Sequence, residues 1–154
     1  IFVLDYVPED DEDEFVIRTL FGYIYETART CRELDDSDIV AKLAEIKDMT
    51  GVEVANDGRL QHNLWMLADN VARMYKEEEA KGITHIPNIV CRDTQCYVPT
   101  DCYDRSVRMP FEMTTIPVAV GYDAALTALY GKDYMTPQQV RGKHDYPFYA
   151  EQSI

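Results

Sequence analysis

Between Ile83 and Gly121 the helical rhythm of this sequence stops, and Pro87, Pro99, Pro110 and Pro117 punctuate the gap. Proline has no N–H to donate and its ring clashes with the preceding helical turn, so a helix does not run through such a stretch. Two β-prone runs lie there instead. Ser106–Met109 and Ile116–Val120 read as short strands joined around Thr114-Thr115. The chain therefore has to combine helices with a small amount of sheet.

Helical spacing is clear on the N-terminal side. Val16, Leu20, Tyr23, Ile24, Cys31 and Leu34 recur at steps that place them on one helix face. A second helix is expected from Asp38 to Met49, with Ile39, Leu43 and Ile46 on its inner face, Ser37 as its cap and Gly51 after its end. A third begins after Asn56-Asp57-Gly58. Its stripe is Leu60, Leu64, Leu67, Val71 and Met74, and Gly82 stops it after Lys81. Trp65 and Tyr75 flank that stripe and are read as core. The opening run Ile1-Phe2-Val3-Leu4 reads as a buried strand closed by Pro8. A chain that opens inside a core strand, with no initiator Met, is expected to be a piece of a longer or processed protein.

Beyond the gap, Asp123–Tyr130 reads as a short helix with Leu126 and Leu129 inward. Gly131 is expected just past its cap in a left-handed conformation. Thr136-Pro137-Gln138-Gln139 has the form of a capping box for one more helix, stopped by Gly142. The apolar tail Tyr146-Pro147-Phe148-Tyr149 is expected to dock on the body. The fold class is α/β, predominantly α-helical, with a small or partial sheet, and residues 1–154 form a single domain. A chain of this length buries about 70% of its unfolded surface, enough for a real core.

Charge narrows the function. Acidic residues number 28 against 15 Lys and Arg, a net charge of −13. A broad nucleic-acid or anionic-membrane footprint needs the opposite sign. About half of the imbalance is one run, Asp5 and then Glu9 to Glu14, with no base among the first 14 residues. Placed before a helix with Arg29 and Arg32 near its far end, the run suits the helix dipole. Asp11 and Asp13 also have the spacing of a divalent-ion pair, but they follow a proline and open a helix instead of ending a strand. Cys31, Cys91, Cys96 and Cys102 are read as reduced thiols. Three of them are spaced C-x4-C-x5-C with His85 upstream, without the tight C-x2-C pair of a structural zinc site. No phosphate-binding glycine loop, G-x-S-x-G elbow or H-E-x-x-H motif occurs.

The two ends carry a resemblance. Ile1-Phe2-Val3-Leu4-Asp5-Tyr6-Val7-Pro8 is similar to a strand block of the form I-F-P-L-D-x-x-P. Phe111-Glu112, Ile116-Pro117-Val118 and Gly121-Tyr122-Asp123 follow in order. Leu126 and Tyr130-Gly131-Lys132-Asp133-Tyr134-Met135-Thr136-Pro137 then match L-x3-Y-G-x-D-Y-M-x-P, with His144 as a late histidine. Together these blocks resemble the LicD family. Val3 stands in place of the family's proline and Met113 in place of its glycine after F-E. The family's upstream acidic motif does not lie in this chain, and residues 15–105 match only in helical character and length.

The resemblance implies the C-terminal part of a nucleotidyltransferase-like fold. It implies transfer of a phosphocholine-type group from a CDP-alcohol to a hydroxyl of a cell-surface glycan, such as teichoic acid, capsule or lipopolysaccharide. The fukutin-type ribitol-phosphate transferases are relatives of that family. The implied cofactor is a divalent metal, Mg or Mn, with its ligands mostly upstream. The implied partners are the CDP-alcohol, the glycan acceptor and the upstream part of the same protein, in the cytoplasm or at the inner face of the membrane. The candidate catalytic residues are Asp5 and Glu112. Lys132, Arg141, Lys143 and His144 are the candidate substrate-binding residues, gathering positive charge for phosphate. The competing expectation is an interaction or regulatory domain with no chemistry of its own.

Overall fold

A computed structural model describes residues 3–87, 90 and 97–137. Among them the chain is a small mixed α/β structure, helix-rich, with two separate two-stranded antiparallel sheets. The first strand, β1, spans Asp5–Pro8 and not the run before it. Val3 and Leu4 are 59% and 41% exposed, so the expected strand lies further along, on the residues thought to close it. Pro8 is tolerated there because the register shifts between Val7 and Pro8 at the strand's end.

Helix α1 (Asp11–Thr30) starts inside the acidic run. Asp10 is its N-cap and its carboxylate accepts from the N–H groups of Glu12 and Asp13 at 2.7 and 3.2 Å. Glu14 points inward. It is buried and meets Lys81 Nζ at 2.7 Å and Arg18 at 3.4 Å, while Asp11 meets the same lysine at 2.8 Å. The run is thus a cap, a surface ion pair and one buried ion pair that pins α1 to the strand carrying Lys81. Hydrogen bonds from Lys81 to Asp11 and Glu14 hold the ammonium well above its ordinary pKa.

The buried face of α1 is Ile17, Phe21, Ile24, Ala28 and then Cys31. Ile24 and Cys31 were expected there, but Val16 is 47% exposed and Leu20 and Tyr23 only border the core. The helix is rotated by about one residue because its main partner is α3 (Leu60–Ala72), which meets the Ile17–Phe21–Ile24 edge. Helix α2 (Asp36–Thr50) inserts Ile46 fully and Ile39 and Leu43 partly, as the spacing predicts. Its cap is Asp35, which accepts from the Asp38 N–H at 2.9 Å, while Ser37 donates its hydroxyl to Asp35 at 2.7 Å. Gly51 ends the helix with φ +71. Only glycine takes that conformation without a Cβ penalty.

Helix α3 ends at Ala72, well before Lys81, and leaves Met74 54% exposed. A turn at Glu77–Glu79 then leads into β2 (Ala80–Thr84), which pairs with β1. Gly82, expected as a helix stop, lies inside this strand. A Cβ there would fall 2.5 Å from the Val98 carbonyl oxygen. Ile83 and Val98 exchange both backbone hydrogen bonds, at 2.8 and 3.0 Å, so the chain passes directly over the glycine.

The second sheet is the hairpin β3 (Ser106–Phe111) and β4 (Thr114–Ala119). Its loop is Glu112-Met113, two residues before the expected turn. Glu112 has φ +49, the sign that primed hairpin turns require. Pro110 and Pro117 are accommodated because each strand of a two-stranded sheet has a free edge. Helix α4 (Tyr122–Tyr130) buries Ala125 and packs Ala128 against the same small cluster of Val98 and Cys102. The expected inner residue Leu129 is 40% exposed. Gly121 fits because a Cβ there would meet Cys102 Sγ at 2.4 Å, and Cys102 lies against the start of the helix. Gly131 has the expected positive φ of +86 but ψ 175, an extended form essentially restricted to glycine and not the left-handed helical one. The helix expected after Thr136-Pro137 and the tail at residues 146–149 lie outside the described residues. No helix among the described residues is long and apolar enough to cross a membrane.

Candidate functional site

Helices bring side chains four positions apart onto one face. On α1 that spacing aligns Phe21 with Tyr25, and on α3 it aligns Trp65 with Asp69 and Ala68 with Ala72. The rings of Phe21 and Tyr25 stack at 5.5 Å and 24°. Tyr25 meets Trp65 edge-on at 5.0 Å and 73°. Ala68 and Ala72 are buried and too small to fill the space beside these rings. The result is a cleft of about 180 Å³, lined by the three aromatics and alanines together with Asp5 from β1, Asp69 from α3 and His85 just past β2.

The two carboxylates differ. Asp69 is half exposed and pairs with Arg73 at 3.4 Å, one helical turn on. Asp5 is only 9% exposed. Burial raises its carboxyl pKa above the ordinary 3.8, and the negative charge of Asp69 raises it further, while His85 and Arg73 pull it back. Among the described residues no hydrogen bond or ion pair is made by the Asp5 carboxylate.

Of the residues singled out from the sequence, Asp5 lines this cleft. Glu112 sits exposed at the tip of the β3–β4 hairpin, and Lys132 is exposed in the turn after α4. Neither lines the cleft. Arg141, Lys143 and His144 lie outside the described residues. So do Cys91 and Cys96, while Cys31 and Cys102 are free, buried thiols. Among the described residues no three His, Cys, Asp or Glu side chains converge as a metal site would require. The Asp11 carboxylate, spaced with Asp13 like a divalent-ion pair, is instead engaged by the Lys81 ammonium at 2.8 Å.

Sequence reasoning missed Asp69 and His85 as neighbours of Asp5, and it read Trp65 as plain core. One signal was available, the four-residue steps Phe21–Tyr25 and Trp65–Asp69, which place aromatic and acidic groups on facing helices. Nothing in the sequence says that those faces meet β1. Compared with known protein families, curated proteins and solved structures, the chain finds no match.

Proposed function

We propose that this chain is the substrate-side, C-terminal part of a LicD-like phosphotransferase with a nucleotidyltransferase-like fold. It moves a phosphocholine-type group from a CDP-alcohol to a hydroxyl of a cell-surface glycan. The observation that carries the reading is the placement of Asp5. The residue that the I-F-V-L-D-Y-V-P block singles out is a nearly buried carboxylate opening on a cleft, and it does not cap a surface turn. Ionisable groups with perturbed pKa in a cleft are the usual companions of chemistry.

In the reaction the acceptor hydroxyl oxygen forms a bond to the phosphorus that carries the alcohol. The bond from that phosphorus to the bridging oxygen breaks, CMP leaves, and the hydroxyl proton passes to a base or to solvent. Divalent metal, when bound to the upstream carboxylates, supplies charge neutralisation at the phosphates. Asp5 orients the transferred group. Glu112 belongs to the F-E block at the hairpin tip. Lys132, with Arg141, Lys143 and His144, supplies positive charge toward phosphate. Work at a glycan acceptor places the protein in the cytoplasm or at the inner face of the membrane.

The test is metal-dependent CMP release from CDP-choline by the complete gene product. Activity is expected there, falling at least about a hundredfold in Asp5→Ala, the scale of a lost orienting or acid–base group. The isolated 154-residue chain is expected to be inactive. An upstream segment without paired acids, and a complete protein that releases no CMP, would establish the non-catalytic interaction domain instead.

A further inference from the structure

Opposite residues in an antiparallel pair point to the same side of the sheet, and neighbours along a strand alternate. The register sets Val107 against Val118, Met109 against Ile116 and Phe111 against Thr114, so these six share one face of the hairpin. The other face holds Ser106, Arg108, Pro110, Thr115, Pro117 and Ala119. There Arg108 donates from Nε to the Thr115 hydroxyl at 2.8 Å and from Nη2 to the Thr115 carbonyl at 3.0 Å. The first face is apolar at every position but Thr114. Among the described residues no other helix or strand lies on it as a layer, and neither buried cluster takes in any of its side chains. Phe111 stays 53% exposed at its outer end. An antiparallel sheet with one apolar face normally packs that face on a core.

Size, charge and reach decide what covers it. Two strands of this length present a face of about 20 by 10 Å. A second copy laid face to face on it falls well short of the roughly 1,200 Å² that a stable interface buries. Each copy also carries a net charge of −13. A segment tethered to the same chain needs no such area, because the tether already holds it at an effective concentration of about millimolar. Residues 138–154 follow the described part of the chain, and their one apolar run is Tyr146-Pro147-Phe148-Tyr149. The hairpin and this tail are each balanced in charge, Arg108 against Glu112, and Arg141 and Lys143 against Asp145 and Glu151, so neither repels the other. Only Val120 and Gly121 separate β4 from α4. Helix α4 is about 14 Å long, and the stretch from Pro137 to Tyr146 can span about 30 Å, so the run can return from the far end of α4 to the sheet.

We propose that Tyr146-Pro147-Phe148-Tyr149 packs across the apolar face of the β3–β4 hairpin, with its rings against Met109, Phe111 and Ile116. Aromatic rings pair well with aromatic and β-branched neighbours on a sheet. Proline lacks an N–H and holds the residue before it extended, so side chains make the contact across the face, and no strand is added at an edge. Held there, the run keeps Arg141, Lys143 and His144 within about 18 Å of the hairpin. The contact needs only the sheet register and the tail sequence, so it stands or falls separately from the phosphotransfer reading.

The experiment uses the 154-residue chain with the photo-crosslinker p-benzoylphenylalanine in place of Phe148. Irradiated in dilute solution, it should crosslink to residues 106–119 of its own chain, read by mass spectrometry of the monomer. Separately, Phe148→Ser combined with Tyr149→Ser in the 154-residue chain should speed amide exchange across β3 and β4 about fivefold, the size of a lost aromatic contact, while α1 and α3 keep their protection. A crosslink anywhere but the hairpin, or none, overturns the contact. So does a crosslink formed only between chains, which makes a second copy the cover. Hairpin exchange that is unchanged in the tail variant overturns it too, as does exchange that rises equally in α1 and α3, which puts the tail on the body instead.

Discussion

The body built from α1, α2, α3 and the β1–β2 sheet differs sharply from the β3–β4 hairpin. In the body Ile24, Ile46 and Leu64 are completely buried, and one continuous cluster runs from Ile17 to Ile86. In the hairpin Phe111, Met113 and Ile116 are 53%, 101% and 37% exposed, and Val107 and Met109 are only half-buried. Two strands without a covering layer are marginal in water, so the hairpin depends on its attachment through Val98, Cys102 and α4. The lesson is that similar apolar content gives a core only where helical faces close on each other. The Asp5 cleft lies in the well-packed body, and Glu112 lies on the sparsely packed hairpin.

The largest test of this contrast is a cavity. Leu64→Ala removes a completely buried side chain from the α1–α3 contact and should cost about 3–5 kcal/mol in urea unfolding. Met113→Ala, at the hairpin tip, should change the same measurement by less than about 0.5 kcal/mol. Comparable losses in the two variants would mean that the hairpin is packed as tightly as the body.

Next comes the ion pair that joins α1 to β2. Lys81→Met removes the 2.7 Å partner of buried Glu14 and leaves Arg18 at 3.4 Å to compensate. Breaking a buried pair on one side costs about 3 kcal/mol or somewhat less where a second cation remains. The double variant Lys81→Met with Glu14→Gln should recover much of that loss. A double variant as unstable as the single one would show that Lys81 acts through packing on Tyr97 instead, whose ring lies 5.5 Å from its ammonium.

A smaller effect belongs to Asp5. Its carboxyl pKa is raised by burial and by Asp69, so the folded chain holds that proton more tightly than the unfolded chain does. Stability is then lost as pH rises through the folded value and is fully present below the ordinary 3.8. Asp5→Asn should therefore raise the neutral-pH Tm, with the difference shrinking as pH falls toward the ordinary value. A Tm lowered at neutral pH would mean that the ionised carboxylate has a partner.

The smallest effect is at the hairpin loop. Glu112→Gly relieves the positive φ of +49 and should stabilise the hairpin by up to about 1 kcal/mol, offset by the greater freedom of glycine in the unfolded chain. Amide exchange across β3 and β4 should slow, while protection in α1 and α3 stays the same. Equal changes in both regions would join the hairpin to the body as one cooperative unit.

Much of the local structure was legible. A helix opening at the acidic run, a helix near the expected Asp38–Met49, the Gly51 stop, the β3–β4 pairing and the short helix ending at Tyr130 follow from periodicity and turn chemistry, while the cap of α2 is Asp35 and not the expected Ser37. The misplacements have specific causes. The Leu60–Met74 stripe could continue helically to Gly82 on spacing alone, and what ends α3 early is the pairing of Ala80–Thr84 with β1. The inner face of α1 differs by about one residue from the reading because a 3.6-residue period leaves two neighbouring stripes nearly equivalent until a partner selects one.

By itself the sequence determined where α1, α2 and α4 lie, where α2 and α4 end, and that no single helix could run from Ile83 to Gly121, although Ile86, Pro87 and Val90 within that stretch are helical. These are local properties, set by backbone sterics, missing donors and side-chain spacing. Only the tertiary structure decided the site. Asp5, Tyr25, Trp65, Asp69 and His85 come from four separated segments, and no local rule relates them. They meet because α1 and α3 close on each other beside β1, and because Ala68 and Ala72 leave the space between the rings unfilled.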